Sequence, residues 1–201
     1  MKLHIDESKA NTKLPTVMRA ALRLFIMKGI HGTTIKDIAG AAGVAEGALY
    51  RHYKGKDDLA WDLFHTHLTQ FTHELEEAMR PHRTIREKLH AFIRESFFGY
   101  ESDPELFSFL ILREHSELSK YAQDRIHPGT LIVSLMKKGQ ARGDIRKGDP
   151  FVLGSIVIGT IIRLATVRMY GTMTNDLRTQ VEPVSESLWQ AVQFNDEKGT
   201  R

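Results

Sequence analysis

The stretch that decides the fold is residues 31–59, which read HGTTIKDIAGAAGVAEGALYRHYKGKDDL. Thr34 and Asp37 stand three residues apart, the spacing at which each side chain can bond the other's backbone amide and start a helix. The apolar residues that follow share one helix face, namely Ile35, Ile38, Ala39 and Ala42. Gly43 suits the end of this helix, and a second short helix carries Leu49. The pattern therefore predicts a helix-turn-helix, whose second helix enters the major groove of DNA.

The rest of the chain shows helical periodicity without an alternating strand pattern. Helix-start signals recur at Asp103-Pro104, at Pro128-Gly129 and at Asp149-Pro150. We therefore predict an all-α fold of roughly nine helices. A three-helix head would occupy residues 1–60, and a larger helical domain would occupy residues 61–201.

The charge of the chain is concentrated in its first part. The whole sequence of 201 residues carries 28 Lys and Arg against 25 Asp and Glu, a net charge of +3. Residues 1–60 hold ten basic and six acidic residues, so their balance is +4, and the remainder has a balance of −1. A cationic surface attracts polyanions such as DNA, although a chance imbalance of four charges is an equal alternative.

Composition and spacing argue against several other classes of protein. The chain has no cysteine, which excludes disulfides and thiolate metal sites and fits a cytoplasmic location. The motifs GxSxG, GxxxxGK[ST], GxGxxG and HExxH are all missing, so no enzyme activity and no cofactor is expected. His65, His67 and His73 lack the helical spacing of metal ligands, and no metal site is expected.

The most apolar stretch, residues 151–162, is interrupted by glycines and followed by Arg163. Because a membrane span needs about twenty apolar residues, we expect no membrane association. A helix that is apolar nearly all round is instead buried on two sides. The pattern predicts contact with the protein's own core and with a partner.

The sequence closely resembles the TetR family of transcriptional regulators. The resemblance is carried by Gly29, Thr33, Thr34, Ile38, Ala39, Ala42, Gly43, Val44, Gly47, Ala48, Leu49, Tyr50, His52, Tyr53, Lys56 and Leu59. It covers the first third of the chain specifically, and the remainder agrees in length and helical character. The resemblance implies an effector-binding and dimerisation domain over residues 61–201. It further implies a homodimeric repressor that binds palindromic double-stranded DNA and leaves it when a small molecule binds.

The resemblance also implies a set of DNA-binding residues: Thr33, Thr34, Ala45, Glu46, Gly47, Tyr50, Arg51, His52, Tyr53 and Lys56. Capping alone is an alternative explanation for Thr34, and packing is an alternative for Tyr53. Ala45 stands where many family members carry a capping serine, so one cap contact is expected to be absent. Glu46 either accepts a hydrogen bond from cytosine or interacts with the helix dipole.

Residues in the larger domain are assigned to two further sites. Effector-binding candidates are Phe64, Phe97, Phe107, His115, Met136 and Arg163. Dimer-interface candidates are Phe151, Ile158, Ile162, Val184, Leu188 and Val192. Burial in the core of one chain is the alternative for the apolar members of both sets.

Three other functions remain open at this point. The sequence does not fix the sign of regulation, so a transcriptional activator is possible. A helical small-molecule carrier or enzyme with a vestigial head predicts a bound ligand without specific DNA affinity. An architectural DNA-binding protein predicts DNA affinity without sequence preference. Competition with unrelated DNA separates these alternatives.

Overall fold

A computed structural model of the chain describes residues 13–112 and 127–195. These residues form nine α-helices and no β-strand, which confirms the all-α prediction. The helices are α1 Leu14–Lys28, α2 Ile35–Ala42, α3 Glu46–Tyr50, α4 Lys56–Met79, α5 Ile85–Ser102, α6 Pro104–Phe107, α7 Pro128–Arg142, α8 Pro150–Met169 and α9 Val181–Val192. A π-helical turn, Ser108–Leu112, continues α6, and a 3-10 turn, Leu177–Gln180, precedes α9.

The described residues divide into two compact units. Residues 13–70 and 102–112 form the first unit, and residues 71–101 and 127–195 form the second. The division falls inside α4, which contributes to both units. The functional boundary near residue 60 remains a prediction, because compactness alone does not assign function.

The first unit is built on an apolar core shared by the three head helices and the segment around α6. Phe25 of α1 stacks on Phe109 with ring centroids 6.1 Å apart, and Phe64 of α4 meets Phe109 edge to face at 6.3 Å. All three rings are buried. Such aromatic pairs contribute about 0.5–1.5 kcal/mol each beyond the burial of their area. The head is therefore held in place by residues that lie beyond position 100.

The second unit packs α5, α7, α8 and α9 around their own apolar residues. Gly154 of α8 lies close to α7, since a Cβ at this position would approach Val133 to 3.1 Å. The carboxylate of Glu101 accepts hydrogen bonds from Arg168 Nε at 3.1 Å and from the Leu177 amide at 2.9 Å. These bonds fix the end of α5 to α8 and to the turn before α9.

Helix α8 is long and apolar enough to cross a membrane, with 20 residues and a mean hydropathy of 1.9 in its most apolar window. Only 28% of that window is buried. A helix of a soluble protein reaches a similar length and hydropathy when one side packs on its own core and the other side packs on a second chain. Phe151 and Val152, near the start of α8, are both exposed.

Candidate nucleic-acid interface

The start of α2 is fixed by a reciprocal cap. The Asp37 amide donates to Thr34 Oγ1 at 3.0 Å, and the Thr34 amide donates to Asp37 Oδ2 at 3.0 Å. The Thr34 backbone N–H, and then its side chain, hold the pKa of Asp37 below its usual value. The capping role expected for Thr34 is confirmed. Thr34 is also exposed, so a phosphate contact at this position remains a prediction.

The turn between α2 and α3 depends on Gly43. Its φ of 63° and ψ of 41° place it in the left-handed region, where a Cβ is strained. The next amide, that of Val44, donates to Ala39 O at 3.0 Å and so closes the end of α2. The chain then reverses direction within three residues and presents α3.

Helix α3 has a buried anchor and an exposed surface. Leu49 is buried in the head, whereas Glu46, Gly47 and Tyr50 are exposed, and Tyr50 has 56% of its surface accessible. Ala45, Arg51 and His52, which flank the helix, are exposed as well. No side-chain cap bond is made at Ala45, as the sequence predicts. This surface can approach a DNA groove closely, because small residues lie beside the long side chains.

The structure corrects the expectation for Thr33. This residue is fully buried, and its hydroxyl donates to Gly29 O at 2.8 Å. A threonine in this position closes the loop between α1 and α2 and is not accessible to a phosphate. The adjacent Thr34, in contrast, faces solvent.

The structure also favours packing at Tyr53. The side chain is buried, and its hydroxyl donates to Asp62 Oδ2 at 2.7 Å. Burial, and then the Asp62 carboxylate, raise the pKa of Tyr53, so the phenol stays protonated and acts as a donor. Packing is thus favoured over the phosphate or thymine contact that the resemblance implies for Tyr53, and the side chain joins the short segment after α3 to α4.

Cations surround this surface. Lys56 Nζ donates to His31 O at 2.8 Å, which fixes the stem of the side chain and leaves two further protons for a phosphate. Lys36 and Lys54 are exposed on the same head. Both contribute to the excess positive charge of residues 1–60, and neither is among the DNA-binding residues that the resemblance implies. Lys36 lies in the first turn of α2, and Lys54 follows α3. Only the fold shows that both lysines belong to the same unit as the exposed surface of α3.

The predicted effector residues that the structure describes are divided between the two units, and their shared role stays a prediction. Phe97 and Met136 are fully buried in the second unit, and Phe64 and Phe107 are buried core residues. Arg163 is exposed on α8, and an effector contact at this position stays a prediction. The remaining candidate, His115, lies outside the described residues.

The predicted dimer residues fall into two groups. Phe151 is exposed, and Ile158, Ile162 and Val184 are half-buried, so all four can contribute to an outer surface. Leu188 and Val192 are buried within the chain itself. Their assignment to the interface is corrected, because α9 turns this apolar face toward its own protomer.

The capped helix, the glycine turn and the exposed α3 define a helix-turn-helix DNA-binding protein. The family model described as bacterial regulatory proteins, tetR family, matches residues 17–62. The model described as tetracyclin repressor-like, C-terminal domain, matches residues 64–194. The chain belongs to the TetR family and is a DNA-binding transcriptional regulator.

Two proteins illustrate its relatives. The chain is 28% identical over 181 residues to the fatty acid metabolism regulator protein of Bacillus subtilis. This alignment covers 88% of this chain and 93% of that protein. The chain is 46% identical over 50 residues to the regulator AcrR of Shigella flexneri, 23% of each chain. The long alignment extends through both domains, whereas the short one is confined to about a quarter of the chain.

Solved structures agree with this assignment. FadR of Bacillus subtilis in complex with stearoyl-CoA has a TM-score of 0.73 at 25% identity, covering 87% of this chain and 97% of that one. FadR of Bacillus halodurans has a TM-score of 0.73 at 22% identity, covering 94% and 97%, and supports the fold alone.

Proposed function

We propose that this protein is a cytoplasmic, homodimeric repressor that occupies a palindromic operator and leaves it when a fatty acyl-CoA binds. The exposed surface of α3 carries the DNA-binding part of the proposal. Glu46, Gly47 and Tyr50 face solvent, while Leu49 anchors the helix from beneath. An exposed recognition helix costs little to dock, because its geometry is already fixed by the cap and the turn.

The choice of effector is supported by the relatives. The regulator aligned over most of this chain is named for fatty acid metabolism, and a FadR of similar fold is described in complex with stearoyl-CoA. A ligand can shift an equilibrium only by its difference in affinity for the two states. Release of DNA therefore requires that the acyl-CoA bind the DNA-free form more tightly than the DNA-bound form.

The dimer is supported by the outer face of α8. Phe151 has 63% and Val152 58% of its surface exposed, at the start of a helix that is largely apolar. Large apolar side chains that cluster on one face favour contact with a second chain. A symmetric dimer would present two α3 helices to half-sites about one DNA turn apart, which matches a palindromic operator.

Selection from a random duplex library at fixed moderate salt tests the proposal. We expect a palindromic sequence that is bound at least about a thousandfold more tightly than a scrambled duplex, which is the lower end of the usual range of specific binding. Palmitoyl-CoA should then lower the affinity for the selected duplex, while free CoA should not. If no sequence is enriched, the DNA-binding part of the proposal is contradicted. If neither palmitoyl-CoA nor free CoA releases the duplex, the effector part is contradicted.

A further inference from the structure

A groove of about 550 Å³ opens in the second unit, bordered by the end of α4, the start of α5 and α7. Its apolar lining is provided by Met79, Ile85, Leu131 and Leu135. Three of these side chains are buried, and Leu131 is half-buried. The volume lies within the range of small-molecule sites. None of these residues was selected as an effector candidate from the sequence.

Four cationic side chains line the same groove: Arg80, Lys88, Lys138 and Arg142. The one carboxylate in the lining is Glu76, so the formal charge of the lining is 4 − 1 = +3. Lys88 is half-buried. Arg80, Lys138 and Arg142 are exposed, so water screens their mutual repulsion, while the excess of positive charge beside the apolar lining still attracts an anion.

Neighbouring carboxylates do not neutralise the two lysines. Glu77 forms an ion pair with Arg80, and Glu87 accepts the Thr84 amide at 3.0 Å as a helix cap. Arg142 donates to the Arg83 carbonyl at 3.2 Å, which holds its guanidinium toward the turn after α4. Among the described residues, the Lys88 and Lys138 ammonium groups are left to bind an outside anion.

We propose that this groove binds the phosphate-bearing end of an amphiphile, with the adjoining apolar part of the ligand against Met79, Ile85 and Leu135. Its lysines and arginines suit phosphate oxygens, and its lining suits an alkyl segment. The choice of a fatty acyl-CoA as the source of both groups rests on the proposed function. DNA fits less well, because a duplex backbone offers no alkyl group to the apolar lining.

Calorimetry on the full-length protein tests the site with palmitoyl-CoA as the probe. The test variants are Lys88→Gln, Lys138→Gln and the double variant. Lys147→Gln is the control, because Lys147 is exposed in the same unit and does not line the groove. We expect the double variant to bind palmitoyl-CoA about tenfold more weakly than the wild type, because it loses two charge-assisted contacts of modest strength. Each single variant should have an affinity between those of the wild type and the double variant. The control should bind like the wild type.

Parallel titrations separate the sources of the ligand. Palmitoyl-CoA should bind more tightly than free CoA, palmitate or phosphatidylglycerol vesicles, since it alone supplies soluble phosphates together with an acyl chain. If free CoA binds as tightly as palmitoyl-CoA, the proposed contact between the acyl chain and the apolar lining is wrong. If the vesicles bind more tightly than palmitoyl-CoA, the proposal of a soluble ligand is wrong. Circular dichroism and light scattering should show unchanged folding and oligomeric state in every variant.

The outcome for the groove is distinguishable from that for the proposed function. If the double variant binds palmitoyl-CoA as tightly as the wild type, the groove assignment is wrong even where the ligand still releases DNA. If binding depends on Lys88 and Lys138 but DNA affinity never changes, the groove is supported and the release of DNA by acyl-CoA fails.

Discussion

Arg19 of α1 and Asp103, which precedes α6, form a bidentate ion pair, although they lie 84 residues apart in the sequence. The guanidinium donates to Oδ1 at 3.0 Å and to Oδ2 at 2.7 Å. Asp103 also accepts the Leu106 amide at 3.1 Å, so one carboxylate both caps α6 and binds α1. Glu105 extends the contact by accepting hydrogen bonds from Arg19 and Arg23. The DNA-binding head is thus fixed to a segment that the sequence assigns to the other domain.

Replacing Asp103 with Asn should lower the free energy of unfolding by about 2 kcal/mol. The Asp103 side chain is only 9% exposed, so the substitution removes a largely buried negative charge from the Arg19 guanidinium, while asparagine can still cap α6. Urea denaturation followed by circular dichroism measures the change. Glu182→Gln is the matched control, because Glu182 pairs with His90 but is 84% exposed, and the expected loss is below about 0.5 kcal/mol. Equal losses in the two variants would contradict the prediction.

The same pair predicts a dependence of stability on pH. Burial is the largest single effect and raises the pKa of Asp103, but the hydrogen bonds from Arg19 and from the Leu106 amide, together with the charges of Arg19 and His67, outweigh it and hold the pKa below the usual 3.8. A carboxyl with a lowered pKa stabilises the folded state above its unfolded pKa, and this contribution is lost as pH falls through the folded pKa. The stability difference between wild type and Asp103→Asn should be constant from about pH 5 to 8 and shrink below about pH 4. A difference that widens on acidification would exclude this role.

Removing the hydroxyl of Tyr53 should affect stability and not DNA recognition. The hydroxyl donates to Asp62, and the Tyr53 side chain is buried. Tyr53→Phe should therefore lower the free energy of unfolding by about 1 kcal/mol. The affinity of the folded variant for the selected duplex should equal that of the wild type. A marked loss of DNA affinity without loss of stability would restore the phosphate contact that the family pattern suggests.

Gly47→Ala should weaken operator binding while the fold is unchanged or more stable. A Cβ at this position meets no atom within 4 Å in the protein, and alanine is a better helix former by about 1 kcal/mol. We expect a loss of about tenfold or more in operator affinity, since the methyl group would lie between α3 and the bases. Gly32→Ala is the contrasting variant. Its Cβ would lie 2.4 Å from the Lys28 carbonyl oxygen, so it should destabilise the fold.

Phe151→Glu should convert the dimer to a monomer at micromolar concentration. The side chain is 63% exposed on the apolar face of α8, and a carboxylate in its place would have to lose its water on association. Light scattering after gel filtration measures the mass. Phe194→Glu is the control, because Phe194 is similarly exposed at 51% but follows α9. A wild-type protein that is already monomeric would exclude the dimer.

The sequence by itself determined the helix-turn-helix and the all-helical class. Thr34, Asp37 and Gly43 act through contacts within three or four residues, and local contacts can be identified from spacing alone. The anchor at Leu49 was predicted for the same reason, whereas the missing cap at Ala45 followed from the family resemblance. The family pattern also identified the surface of α3, because residues of one short helix share its orientation.

Only the tertiary structure decided which side chains are accessible. Thr33 and Thr34 are neighbours in sequence, yet one is buried and the other is exposed. Leu188 and Val192 have the same apolar character as residues of an interface, but their direction depends on how α9 packs. Burial is a property of the surrounding elements, so periodicity locates a helix face without showing what covers it.

The contacts over the longest distances in sequence were also beyond prediction. Nothing near Arg19 indicates Asp103, and nothing near Lys88 indicates Lys138. Arg19 pairs with Asp103 because α1 meets the start of α6, and Lys88 and Lys138 line one groove only because the fold brings their two helices to it. Local sequence determined the helices of this protein, and the packing of those helices determined its ion pairs, its buried residues and its grooves.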